Sequence, residues 1–310
     1  MASTLDFDYV IIGAGTAGCL LANRLSQNPD NKVLVLEAGG KDKFLRTKIP
    51  VGYLFSMGNP KTDWCYTTEK EEGLNGRSLN YPRGRVLGGS SAINGMIYMR
   101  GQAKNYDHWK NEGNIGWGWD DVLPYFKKSE DHFKGADDFH GAGGAWRVEK
   151  QRLSWEVLDS FAEACAQSGI PPTEDFNRGT NFGVGYFEVN QLKGVRVSAN
   201  SAFLRPIRHR KNLTIIANAN VEKITFDGKK ATGVIFRENK KSGHSPLHAK
   251  ARREVILSAG AINTPKLLQI SGIGSPDLLK SFGIDIVHPL QGVGQNLQDH
   301  LQIRTVFKLK

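Results

Sequence analysis

Three cysteines in 310 residues, Cys19, Cys65 and Cys165, are too few and too scattered for a disulfide framework, and they form no Cys-x-x-Cys pair. Metal binding by thiols has no basis here, and the chain suits a reducing compartment. No apolar run approaches the roughly 20 residues that span a bilayer. The start, Met-Ala-Ser-Thr-Leu-Asp-Phe-Asp, carries two acids where a secretory signal would be basic, so no targeting signal is read. Gly-x-Ser-x-Gly, His-Glu-x-x-His and Walker A patterns are missing, which removes support for serine hydrolase, zincin and P-loop chemistry. Internal repeats and low-complexity tracts are missing as well. The expected location is the cytoplasm.

What is present is a globular composition. Hydrophobic residues make up 39% and charged residues 23%, enough for a substantial core in one large or two smaller domains. The net charge of +10 concentrates at Arg205, Arg208, Arg210 and Lys211 and again at Lys250, Arg252 and Arg253. No aromatics interleave there as a single-strand groove would require, so no nucleic-acid partner is expected. These patches read as a solvated basic face, compatible with peripheral membrane contact.

The chain opens on a buried-strand pattern, Asp8-Tyr-Val-Ile-Ile12, which suits a parallel strand covered on both faces. Helical spacing follows from Thr16 to Leu25 and ends at Asn28-Pro-Asp30. A second apolar run, Val33 to Leu36, completes a βαβ unit. Residues 39–85 are irregular, as expected of an excursion over a ligand. Helices are predicted over Trp119–Ser129 and Trp155–Ser168, with a flexible turn region around Asp137–Gly144 between them. Strands are predicted over Leu213–Ala217, Val221–Phe226 and Ala231–Phe236, the last two joined by an Asp227-Gly228 hairpin turn. Another strand from Glu254 ends at Gly260, and Thr264-Pro265 opens a helix to Ile270.

Within the first unit lies Gly13-Ala14-Gly15-Thr16-Ala17-Gly18, a Gly-x-Gly-x-x-Gly pattern. Alone it is weak; between a strand and a helix it gains a mechanism. Gly13 allows the tight turn, Gly15 leaves room for a pyrophosphate, and Gly18 lets helix and strand pack closely. The helix start offers free N–H groups and a favourable dipole to a diphosphate. Glu37, 19 residues beyond Gly18, ends the second strand and can accept hydrogen bonds from ribose hydroxyls. Its carboxylate disfavours a 2′-phosphate. The pattern does not choose between NAD and FAD, since both carry an ADP half.

A second segment, Arg83-Gly-Arg-Val-Leu-Gly-Gly-Ser-Ser-Ala-Ile-Asn-Gly-Met-Ile-Tyr98, is small, flexible and rimmed by hydroxyls and an amide. Backbone of this kind can lie flat against a ring or a phosphate. It closely resembles the first signature of the glucose–methanol–choline (GMC) flavin oxidoreductases, and Gly260–Gly274 resembles the second. Arg196–Pro206 and Gly292–His300 are further family-like pieces, so the resemblance runs from residue 6 to about 301. It implies an α/β, Rossmann-like FAD-binding fold with a central parallel sheet, plus an incomplete α+β substrate domain. It implies an FAD-binding module over residues 1–304, with a helical and loop insertion at about 105–190, and the start of the substrate domain at 305–310. Gly13, Gly15, Thr16, Ala17, Gly18 and Glu37 would hold the ADP half of FAD. Val86, Gly89, Ser90, Ser91, Asn94, Gly95, Met96 and Ile97 would lie along the diphosphate and flavin, and the backbone of Val221 would meet adenine. Some members attach FAD through a His just before the Asn of the first signature; Ile93 stands there, so a non-covalent flavin is expected.

The resemblance also implies the chemistry: an alcohol loses its hydroxyl proton to a base while its carbinol hydride passes to the flavin. A quinone, another acceptor or oxygen then takes the electrons. Imidazole suits the base, its pKa being near neutrality. In the family that His lies in a carboxy-terminal segment, and this sequence ends at Thr305–Lys310, which reads as the middle of a strand. The expectation is therefore a truncated, choline dehydrogenase-like chain with no assignable catalytic residue, or a flavin-binding half that needs a separate partner chain. Looser flavin retention than in a full-length homologue is also expected. Neither Asp299-His300 nor the pair His132 and His140 is read as a site: the first is a poor base candidate, the second a solvated loop rather than a metal centre.

Overall fold

The computed structural model describes residues 4–42, 45–238, 245–300 and 302–308. Met1–Ser3, part of the segment read for a targeting signal, and Leu309–Lys310 lie outside the described residues. At the centre is a six-stranded sheet built from β1 (Thr4–Ile12), β2 (Val33–Glu37), β3 (Leu213–Ala217), β4 (Ala219–Asp227), β5 (Lys230–Glu238) and β6 (Leu247–Leu257). The spatial order is β3-β2-β1-β6-β5-β4. The first four strands run parallel, with Val10 level with Leu34 on one side and Val255 on the other. β4, β5 and β6 then pair antiparallel. This is the α/β, Rossmann-like arrangement implied by the sequence.

Every residue of β2 is buried, which explains its unbroken apolar run. Strand alternation still sorts the side chains by face. Val33 and Val35 join Ile11 beneath α1 (Thr16–Leu25), where Cys19, Ala22, Phe203 and Leu204 complete one core. Leu34 and Leu36 join Val10, Ile12, Val234 and Phe236 on the other face, closed by Leu267. The sheet thus has two apolar layers, and every parallel strand presents its carboxyl end along one edge.

Besides the single turn Tyr53–Ser56, the intervening chain holds, among the described residues, three helices longer than two turns: α2 (Ala103–Asn111), α3 (Trp119–Ser129) and α4 (Glu156–Gln167). The last two match the predicted spans to within one residue. α2 was not anticipated, because Ala-Lys-Asn-Tyr-Asp-His-Trp-Lys-Asn has no regular apolar stripe. A capping box between Gln102 and Asn105, and the packing of Tyr106 on Trp109, Trp119 and Phe126, hold it instead. A three-stranded sheet from Glu130–His132, Trp146–Lys150 and Glu188–Val189 lies beyond.

The structure corrects several boundaries. β1 and β6 begin at Thr4 and Leu247, not Asp8 and Glu254, because Thr4–Phe7 pairs with His248–Ala251 in alternating polar sequence. The helix expected from Thr264 starts at Gly260 as α5 (Gly260–Ile270), where a φ of +85° at Gly260 turns the chain directly out of β6. Residues 305–308, read as part of a strand, form none and are exposed. Among the described residues no helix is long and apolar enough to cross a membrane.

Phe236 is fully buried between the sheet and α5. Phe236→Ala is expected to cost about 3–5 kcal/mol, read as a lower urea midpoint at unchanged slope. A midpoint that does not move would refute this account of the core.

Candidate functional site

Along the carboxyl edge of β1, β2 and β6 opens a cavity of about 980 Å³. Crevices at this edge are where doubly wound sheets bind ligands. Its floor is the turn from β1 into α1. Gly13 has φ +93°, and a Cβ there would sit 2.6 Å from the Ser258 carbonyl oxygen. At Gly18 a Cβ would come within 2.0 Å of the Gly13 oxygen. Both glycines are required by backbone packing. Gly15 differs: its φ is −74°, and the nearest atom to an added Cβ is 3.9 Å away. Its missing side chain therefore leaves room in the cavity and relieves no clash. Thr16 and Ala17 are exposed and line the same space. Their first-turn N–H groups have no acceptor within the helix, as at any helix start.

Glu37 is buried at the end of β2. One carboxyl oxygen accepts from the Ala14 N–H and the other from the Gly39 N–H, both at 2.8 Å. Burial pushes its pKa up to about 7, opposed by those two N–H groups and by Arg85. The structure gives it a role the sequence did not suggest: it locks the glycine turn to the strand end while lining the cavity.

The second glycine segment is laid against the first. Gly88 N–H donates to the Ala14 oxygen at 2.8 Å. A Cβ on Gly89 would lie 2.8 Å from the Gly15 Cα, and one on Gly84 would lie 2.2 Å from the Gly89 carbonyl carbon. Ser90 is exposed and also lines the cavity, with its Oγ accepting from the Gly84 N–H at 3.1 Å. At the far end, Val221 lies on the cavity wall beside Asn220 and Glu222.

The structure therefore gathers Gly13, Gly15, Thr16, Ala17, Glu37, Gly89, Ser90 and Val221 around one cavity. Gly18 lies behind it in the packing. Val86, Ser91 and Met96 turn their side chains into the protein. Ser91 Oγ donates to the Gly88 oxygen at 2.5 Å and accepts from the Ala199 N–H at 2.9 Å. Asn94, Gly95 and Ile97 are exposed on the continuation of the segment, outside the cavity lining.

Sequence reasoning missed part of the wall. Trp64 and Tyr66 stack with centroids 5.8 Å apart, and the Tyr66 hydroxyl donates to Asn263 Oδ1 at 2.7 Å. The Arg85 guanidinium lies 4.9 Å over the Trp64 ring, and its buried Nε has no partner among the described residues. Ser258 supports the glycine turn by donating to the Ile12 and Gly13 oxygens at 2.9 and 2.8 Å. Its position just after a buried strand was the available signal; for Trp64 and Tyr66 there was none.

The solvated-loop reading of His132 and His140 is overturned. Both are buried, with rings stacked 3.8 Å apart. His140 Nδ1 lies 3.1 Å from both Glu130 oxygens, and its Nε2 lies 2.8 Å from Asp175. His132 Nε2 lies 2.9 Å from Glu188, and its Nδ1 accepts from the Lys134 N–H at 3.3 Å. Burial alone would depress the His140 pKa, but Asp175 and Glu130 outweigh it and hold it at about 9. His132, His140 and Glu188 could offer ligand atoms within 4.8 Å of one another. Every ring nitrogen already has a protein partner, however, and His140 carries a proton at neutral pH. The cluster is a buried ion-pair network: Arg100 joins it through Glu130 at 3.0 Å.

The arrangement fits an extended dinucleotide. The cavity runs from Val221, past an open helix start, to a backbone surface of glycine and serine beside an aromatic wall. Known proteins agree. The sequence profile of the GMC oxidoreductases matches residues 7–302. The human protein named "Choline dehydrogenase, mitochondrial" is 44% identical over 305 residues, covering 96% of this chain and 51% of its own length. Pyridoxine 4-oxidase from Mesorbium loti superposes with a TM-score of 0.89 at 37% identity, over 95% of this chain and 57% of that one. An FAD-dependent oxidoreductase from Chaetomium thermophilum gives 0.87 at 32% identity, over 94% and 52%. The chain spans about half the length of the curated relatives it matches.

The glycine geometry separates two variants. Gly15→Val is expected to leave thermal unfolding of the flavin-free chain nearly unchanged while abolishing FAD binding, because its side chain enters the cavity. Gly18→Ala is expected to destabilise the flavin-free chain, since its methyl strikes backbone. Equal effects of the two on unfolding, or retained FAD binding by Gly15→Val, would contradict the geometry.

Proposed function

The chain belongs to the GMC oxidoreductase family, and from that premise we propose that it binds FAD non-covalently and serves oxidation of the CH–OH group of an alcohol, in the manner of a choline dehydrogenase. The observation that carries this reading is the unobstructed start of α1 facing the Ser90 segment across one cavity. Once bound, FAD supplies the two-electron acceptor for the carbinol hydride. The residues of this chain hold and orient it: Thr16 and Ala17 offer N–H groups to the diphosphate, Glu37 faces the ribose hydroxyls, and Val221 meets adenine. Ser90, Asn94, Gly95 and Ile97 lie along the ring, while Val86, Ser91 and Met96 shape that backbone from beneath.

Non-covalent attachment rests on Ile93. It occupies the place at which some members carry the attaching His, and it offers only a buried hydrocarbon packed with Val86, Ala92 and Met57. The electron acceptor is taken to be a quinone, another acceptor or oxygen. Three free cysteines support a cytoplasmic, reducing location. Residues 1–304 are taken as the flavin module, with the insertion at about 105–190.

A second reading, a flavin-binding half that acts with a separate chain, is favoured by one observation: among the described residues, no histidine lines the cavity. His300 is exposed, and Asp299 is engaged by the Tyr81 hydroxyl at 2.8 Å. Among the described residues, no imidazole that could take the alcohol proton is therefore found in the cavity.

The test is anaerobic mixing of the FAD-loaded chain with a panel of alcohols that includes choline. The flavin visible band is expected to stay unbleached with the chain alone, and acid precipitation is expected to release all the yellow colour. Rapid bleaching would show that the chain carries its own base. Colour retained in the pellet would refute non-covalent binding.

A further inference from the structure

Arg196 lies outside the lining of that cavity and is given no role by the chemistry above, yet its side chain bonds directly to the glycine–serine segment. It is buried, with 4% relative exposure. It sits on a tight hairpin in which Gln191 pairs with Arg196 and Leu192 with Val195, turned by Lys193 and Gly194 at φ +52° and +79°. Its own N–H donates to the Lys48 oxygen at 2.9 Å, which anchors the hairpin from the other side.

The guanidinium makes three bonds, all to that one segment. Nη1 donates to the Ser91 oxygen at 3.1 Å and to Asn94 Oδ1 at 2.8 Å, and Nη2 donates to the Asn94 oxygen at 2.6 Å. These acceptors lie at and just beyond the end of the short helical turn Gly89–Ala92, where backbone carbonyls have no helical partner. A cation with a rigid fork of donors suits that site better than any neutral side chain. Burial lowers the Arg196 pKa only to about 10, with Asp42 opposing, so the charge persists at neutral pH.

The chain of contacts continues toward the ring. Asn94 Oδ1, held by Arg196, also accepts from the Met96 N–H at 3.1 Å. Met96 has φ +66°, a left-handed conformation that a non-glycine residue keeps only when its surroundings impose it. The same hairpin region holds Met96 again, through the Asn190 N–H to its oxygen at 2.9 Å. Arg196 thus fixes Asn94, and Asn94 fixes the turn at Gly95–Met96.

We propose that Arg196 is the positioning residue of the flavin ring, setting the shape of the Ser91–Met96 backbone on which the ring rests without itself touching the cofactor. This rests on the flavin reading above. A purely structural arginine would affect folding with or without flavin; a positioning residue also alters the environment of the bound ring.

The test compares the full chain with Arg196→Lys and Asn94→Ala. Each is titrated with FAD, following flavin fluorescence and the shape of the visible band, alongside thermal unfolding of the flavin-free proteins. Arg196→Lys keeps the charge and loses the fork. It is expected to weaken FAD binding by roughly tenfold or more and to shift the bound flavin band toward that of free flavin. Asn94→Ala keeps the Arg196 bonds to the Ser91 and Asn94 backbone oxygens and removes only the side-chain link to the Met96 turn; the same band shift is expected. An unshifted band in Asn94→Ala, or wild-type affinity and band in Arg196→Lys, overturns the proposal. So does a loss of affinity in Arg196→Lys that only tracks lost flavin-free stability, with the band unchanged. A wild-type chain that binds no FAD is a different failure: it removes the flavin reading and this proposal together.

Discussion

The site depends on two backbones touching with no side chain between them. Gly89 meets Gly15 at a distance that a single methyl would violate, while Gly39 leaves the Arg85–Val86 peptide a path that a Cβ would block at 2.0 Å. Because those segments are flush, the amino end of α1 stays open and the glycine–serine segment continues its surface. Free N–H groups at one end and a side-chain-free shelf at the other are what an extended, doubly charged dinucleotide requires. Glu37 makes the contact durable, with its two backbone bonds tying the turn to the strand end. The cost is a carboxyl buried far enough to raise its pKa.

Most of the sheet was legible from sequence because a parallel strand buried on both faces leaves an unbroken apolar run, as Val33–Leu36 does. The glycine turn was legible for the same kind of reason: Gly13 and Gly18 answer steric demands that the neighbouring strand and helix impose, and Gly15 leaves space for a ligand. α2 was not legible, since it is held by a cap and by Tyr106 packing on residues from elsewhere in the chain, neither of which appears as periodicity. The His132–His140 region misled for a related reason. Its local sequence, Asp137-Asp-Phe-His-Gly-Ala-Gly-Gly, looks solvated, and burial comes from Glu188, Asp175 and Arg100, which are distant in sequence.

That buried network also bears on the site. Arg100 N–H donates to Asn177, Tyr98 N–H donates to the Glu188 oxygen, and Asn177 reaches the Tyr98 oxygen. The chain leaving the glycine–serine segment is therefore gripped by the same residues that surround the two histidines. Arg196 grips the segment itself. Between them, a shelf built from the least rigid residue types is held by charges placed outside it, which reconciles a flexible composition with a fixed surface.

The central claim is that an FAD molecule lies with its diphosphate over α1 and its ADP half beside Glu37 and Val221. Equilibrium titration of the flavin-free chain with FAD, repeated with ADP and with FMN as competitors, tests it most directly. The account predicts one FAD per chain, displaced by ADP and little affected by FMN. No binding at excess FAD, or binding that FMN displaces and ADP does not, would contradict it.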